Sequence, residues 1–116
     1  MRRGEIWTVA DGTGYAGKPR PVVVLQDDLF SGTASLTVCA FTTDPTDQPL
    51  LRLAVEPSDG NGLRLPCRLM IDKITTVAKS KIGRRIGVLD DHDVLRLNRA
   101  VMVFLGLATP LSPRPQ

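Results

Sequence analysis

Hydrophobic and polar positions change period several times along this chain. Glu5-Ile6-Trp7-Thr8-Val9-Ala10 alternates and predicts a first strand. Val22-Val23-Val24-Leu25 is an unbroken apolar run, mostly β-branched, and predicts a strand over Arg20–Gln26 with both faces buried. Leu36–Thr43 reads as a third strand ended by Asp44-Pro45, and Leu51–Glu56 as a short alternating fourth. Pro57–Gly62 is a dense turn cluster, and a fifth strand follows over Cys67–Ile71. Asp72–Thr76 reads as a short helical turn capped by Asp72. Ile82–Leu89 predicts a last strand, with Gly83 and Gly87 marking bulges or a close backbone approach.

The period then lengthens to that of a helix. Val94, Leu97, Val101, Phe104 and Leu105 form one stripe, and Leu95 and Met102 widen it. Asp90 or Asp91 caps this helix, Asp93 suits its N-terminal dipole, and Gly106 frays its end. The pattern predicts a mainly β domain with a C-terminal α-helix, built as a small, twisted, partly closed barrel over residues 1–108. Residues 109–116 carry three prolines and read as a disordered tail.

Length and charge narrow the picture. A chain of 116 residues makes one small core, which a dimer would extend. Fifteen Lys and Arg against twelve Asp and Glu make it mildly basic, compatible with a polyanionic partner. No run nears the roughly 18 apolar residues of a membrane span, and no secretory signal follows Arg2-Arg3. The chain is therefore expected to be cytoplasmic, with no membrane partner. Cys39 and Cys67 lie in apolar segments without metal-ligand spacing, which predicts buried, reduced thiols and no metal site.

Chemistry concentrates at Lys18-Pro19-Arg20-Pro21. Two prolines bracket Arg20 and hold it extended at the entrance of a buried strand, which suits a fixed phosphate-binding cation. The blander reading is a solvated loop arginine. Tyr15, in the preceding glycine-rich loop, stacks on an unpaired base or is simply an exposed loop aromatic. The run Lys79–Arg85 tracks a nucleic-acid backbone or forms a solvated turn. His92, between Asp91 and Asp93, reads as solvated.

The order Arg3-Gly4-Glu5-Ile6-Trp7, a glycine loop, Arg20-Pro21-Val22-Val23-Val24-Leu25, Ala40-Phe41-Thr42-Thr43, Asp72-Lys73-Ile74-Thr75-Thr76 and Ile86-Gly87-Val88-Leu89 resembles the MazF/PemK (Kid) toxins of bacterial toxin–antitoxin pairs. The resemblance spans residues 2 to about 108. It implies an SH3-like, CcdB-like barrel working as a homodimer. It also implies a sequence-specific, metal-independent endoribonuclease acting on single-stranded RNA without a cofactor, arresting translation. An acidic antitoxin would neutralise it and carry the complex onto DNA. Alternatives of another class are a CcdB-like gyrase poison, disfavoured by a C-terminus without Trp, and a non-catalytic relative that only binds RNA or antitoxin.

By the same resemblance Arg20, Thr42 and Asp72 are the catalytic residues, and Tyr15, Lys18, Arg68 and Lys73 join RNA binding. Arg20 would stabilise the phosphorane, Thr42 would donate to a phosphate oxygen, and Asp72 with a raised pKa would act as base. Two positions depart from the family pattern. Tyr15-Ala16 replace a Glu-Gln before Arg-Pro, and Met70 stands where an arginine precedes the aspartate by two residues. Arg68, on the same strand face as Met70, is a candidate substitute for that arginine, and Lys73 and Lys18 are other candidate cations.

Overall fold

The computed structural model describes residues 1–10 and 18–109. Its strands are β1 (Glu5–Val9), β2 (Arg20–Val24), β3 (Ser35–Thr42), β4 (Arg52–Val55), β5 (Cys67–Met70), β6 (Thr75–Ala78) and β7 (Ile82–Val88), followed by one helix, α1 (Asp91–Phe104). All pairings are antiparallel, in the order β4-β5-β3-β2-β1-β7, with β6 also on β3. Strands β4 and β7 end this path without pairing to each other, so the sheet is bent but not closed.

The eight-residue β3 is the spine. One edge carries β2. The other edge carries β6 along Ser35–Val38 and β5 along Phe41–Thr42. A 3-10 turn at Ile71–Lys73 separates these two partners. Strand β6 was not expected from the sequence, where Asp72 reads as a helix cap. In the structure no side chain caps this turn, and the backbone is extended again by Ile74. Thr75, Thr76 and Val77 then follow their β-branched preference along the edge of β3.

Alternation along β3 serves two cores. Cys39 and Phe41 join Ile6, Val23, Leu69, Ile71 and Leu97 beneath α1. Leu36 and Val38 join Val9, Val22 and Val24 on the opposite face, flanked by Trp7, Val77 and Ile82. With both faces covered, β2 needs no polar alternation, which explains its unbroken valine run. Trp7 is only half-buried, and its Nε1–H donates to Glu5 Oε1 at 3.2 Å. The close approach expected at Gly87 is present: a Cβ there would lie 2.3 Å from the carbonyl of Asn61. Register shifts between β1 and β7 supply the expected irregularity as well.

Asp90 caps α1, accepting from Asp93 N–H at 2.7 Å. The other end is closed rather than frayed. Gly106 takes φ +77°, its N–H donates to Val103 O, and Leu107 N–H donates to Met102 O. This is the Schellman pattern, which satisfies the last carbonyls. Thr109 O accepts from Arg99 Nη2 at 2.8 Å; the rest of the tail expected to be disordered lies outside the described residues. Cys39 and Cys67 are free and buried. Burial pushes the Cys39 thiol up to about 12, so it is inert at neutral pH.

Candidate functional site

Backbone register places the sequence-predicted phosphate residues. Strand β2 pairs Val22 with Ala40 and Val24 with Val38. The same register continued by two residues would set Arg20 opposite Thr42. Beyond Thr42 lies Arg68, its direct partner on β5. On the other side Arg20 pairs with Val9, and Val9 with Ile82. The observed pairs run in two stretches, Arg68 with Thr42 and Arg20 with Val9 and Ile82, which the continued β2–β3 register would join into one row. Directly paired residues share a face of the sheet. This row sits at the rim of the face holding the smaller core, where buried valines give way to polar side chains.

Arg20 and Lys18 are exposed and Thr42 is half-buried. Thr42 Oγ1 accepts from Asp44 N–H at 3.1 Å, which orients the hydroxyl. Asp44 in turn accepts from the N–H and hydroxyl of Thr46. Those bonds from Thr46 hold the Asp44 carboxyl below its ordinary value. Arg68 donates from Nη1 to the carbonyls of Pro45 and Thr46, so it staples the loop that leaves Thr42. Tyr15 lies outside the described residues.

Asp72 lies elsewhere. Its turn runs alongside the middle of β3, roughly 10 Å along the strand from the level of Thr42. It lines a groove of about 490 Å³ with Leu25, Thr37, Ile74, Val101 and Phe104, on the face that α1 covers. Arg52, the cross-strand partner of Met70, donates to Asp72 Oδ1 from Nη1 and also reaches Leu51 O. Its hydrogen bond is the main reason the Asp72 carboxyl is held below its ordinary value, and Lys73 adds its charge. The cap expected at Asp72 is therefore corrected: its side chain does not cap the turn. Without a substrate phosphate beside it, its pKa is lowered, because the Arg52 guanidinium donates to it.

Residues 2–105 match the family model of the PemK-like, MazF-like toxins of type II toxin–antitoxin systems. The chain belongs to this family. It is 53% identical to a probable endoribonuclease MazF of Mycolicibacterium smegmatis, over 93% of this chain and 99% of the relative. It is 28% identical to endoribonuclease MazF9 of Mycobacterium tuberculosis, over 92% and 98% of the two chains. In fold it resembles a mycobacterial endoribonuclease solved in complex with its cognate antitoxin, with a TM-score of 0.78 and 24% identity over 95% of this chain and 99% of that one.

Arg52, which the sequence did not single out, is the cation that pairs with Asp72. The pattern placed an arginine two residues before the aspartate, on the same strand, and Met70 fills that position here. The structure supplies the cation from the neighbouring strand, directly opposite Met70. Arg68, a candidate substitute, is turned to loop carbonyls instead. No spacing in the linear sequence links Arg52 to Asp72; the β4–β5 register does. His92 is exposed at the start of α1, as expected. Among the described residues no helix is long and apolar enough to cross a membrane.

Proposed function

We propose that this chain is a sequence-specific, metal-independent endoribonuclease toxin that cleaves single-stranded RNA in the cytoplasm. The observation that carries the reading is the match of residues 2–105 to the MazF-like toxin family, supported by an exposed Arg20 at the start of β2 and Thr42 at the end of the neighbouring β3. Nothing in the family membership favours a gyrase poison.

RNA carries its own nucleophile. The 2′-hydroxyl oxygen attacks phosphorus and loses its proton, the bond from phosphorus to the 5′-oxygen breaks, and that oxygen is protonated. The ends are a 2′,3′-cyclic phosphate and a 5′-hydroxyl. The protein's main task is to stabilise the crowded dianionic phosphorane. Arg20 does this with a planar fork that matches two phosphate oxygens, held extended between prolines. The Thr42 hydroxyl, oriented by Asp44 N–H, donates to a further oxygen. Lys18 adds charge beside Arg20. Asp72 enters as a carboxylate kept ionised by Arg52. It can accept a proton but holds none to donate at neutral pH.

The protein works as a symmetric homodimer. Leu95, Phe104, Leu105 and Leu107 on and after α1 are 67%, 44%, 56% and 73% exposed, an apolar surface that one small core leaves uncovered. An antitoxin with acidic side chains and apolar anchors matches the exposed cations and this apolar surface together. The deciding experiment incubates the purified chain with mixed-sequence RNA, with and without EDTA. Cleavage that persists in EDTA and leaves 5′-hydroxyl ends is expected. A 5′-phosphate end that requires Mg²⁺ would reject the mechanism.

A further inference from the structure

A threonine hydroxyl has one proton and two acceptor sites, and it rotates until a neighbour fixes it. Thr42 Oγ1 accepts from Asp44 N–H at 3.1 Å, which fills one acceptor site and turns the proton elsewhere. The turn that presents Asp44 N–H is itself held. Asp44 Oδ1 accepts from Thr46 N–H at 2.9 Å and from the Thr46 hydroxyl at 2.6 Å, a turn closed by a side chain. Residues 43–50 are all exposed, so core packing does not hold this segment in place.

Arg68 supplies the anchor. It is half-buried on β5, where it is the direct partner of Thr42. Its Nη1 donates to Pro45 O at 2.9 Å and also to Thr46 O. The peptide group between Pro45 and Thr46 is therefore gripped at both ends. Its oxygen accepts from Arg68, and its N–H donates to Asp44. An unbroken chain of hydrogen bonds runs from the rigid sheet through Arg68, this peptide and Asp44 back to the Thr42 hydroxyl.

Resting on the endoribonuclease reading above, we propose that Arg68 is a positioning residue for Thr42: it fixes the turn after β3, and through it the direction in which the Thr42 hydroxyl donates. The hydroxyl is then aimed before substrate arrives, so that it meets a developing charge without reorganising. This differs from the RNA contact expected of Arg68 from the sequence. Backbone carbonyls do not cancel a guanidinium's charge, so a direct phosphate contact is the competing outcome of the test.

The test uses an RNA that the wild-type protein cleaves, and the same RNA 2′-O-methylated at the cleavage position so that it binds uncut. Arg68→Ala should lower kcat toward the roughly 10-fold loss expected of Thr42→Val, with little change in KM. Binding of the uncut RNA should keep its wild-type salt slope, whereas a lost phosphate contact lowers that slope by about one. In a Thr42→Val background Arg68→Ala should cost no further kcat, because the hydroxyl it positions is already gone. A second pair of variants leaves β5 untouched. Asp44→Ala keeps the backbone N–H that Thr42 accepts but frees the turn, and should lower kcat in the same Thr42-dependent way. Asp44→Asn should restore most of the rate, because its amide oxygen accepts from the same two donors without the charge. Circular dichroism checks that each variant folds.

A salt slope lowered by about one at unchanged kcat makes Arg68 a phosphate ligand and overturns the proposal. So do losses in Arg68→Ala and Thr42→Val that multiply, and so does a Thr42→Val protein with wild-type kcat. If Arg68→Ala does not fold, wild-type kcat in Asp44→Ala overturns it instead. A wild-type chain that cleaves no RNA defeats the endoribonuclease reading itself. Wild-type cleavage with a folded but silent Arg68→Ala defeats the positioning role alone.

Discussion

Two arginines stand near a polar residue on neighbouring parts of the same sheet, and their surroundings make them opposites. Arg20 enters β2 at an exposed rim, on the face of the smaller core, next to the end of β3 that carries Thr42. Arg52 enters β4 with only 14% of its side chain exposed, and its guanidinium is matched to Asp72. The first arginine stands exposed, between two prolines that hold its backbone extended. The second has its charge cancelled locally, and in turn keeps the carboxylate ionised. Stabilising a phosphorane needs a guanidinium at the surface where substrate arrives, and the proposed function gives that work to the exposed Arg20.

The sharpest way to break this comparison is to remove each arginine in turn. Arg20→Ala should lower RNA cleavage by about 100-fold or more with the fold intact by circular dichroism. Arg20→Lys should rescue poorly, because a point charge replaces the fork. Arg52→Ala should cost far less cleavage. Equal losses would mean that both regions belong to one catalytic unit, with Asp72 delivered to Arg20 from a second copy of the chain.

Thr42→Val keeps the shape and β-propensity but removes the hydroxyl. A loss of about 10-fold in kcat, with little change in KM, is expected for one donor to a developing charge. Unchanged kcat would return Thr42 to a purely structural role at the end of β3.

Oligomeric state tests whether the exposed face of α1 has a use. Light scattering at micromolar concentration should give twice the monomer mass. Leu95→Glu combined with Phe104→Glu should shift the population toward monomer. A monomeric wild-type protein would contradict the homodimer.

The smallest effect is in pH dependence. Asp72 has a folded pKa below its unfolded value, so its stabilising contribution is present above the unfolded value and is lost as pH falls through the folded one. In Arg52→Ala the Asp72 carboxyl should titrate at higher pH, read by carboxyl chemical shift, and the acid-unfolding midpoint should rise with it. An unmoved Asp72 titration would show that Arg52 does not set its charge.

The sequence by itself determined most of the strands, the helix and the rim chemistry, because each rests on local pattern. The valine run of β2, the prolines around Arg20, the aspartates opening α1 and the glycines of β7 act through backbone geometry or propensity within a few residues. The tertiary structure decided what depends on distant partners. Asp72 reads locally as a cap, yet Arg52, twenty residues earlier, takes its side chain through the β4–β5 register. Strand β6 exists because the edge of β3 is open to it after a 3-10 turn, which no periodicity in four residues announces. Arg68 and Arg85 look like spare cations in the chain, yet in the fold Arg68 meets loop carbonyls and Arg85 meets Glu5. Which charge meets a carbonyl, a carboxylate or solvent is settled by register between strands, and that is information the order of residues holds only once the chain has folded.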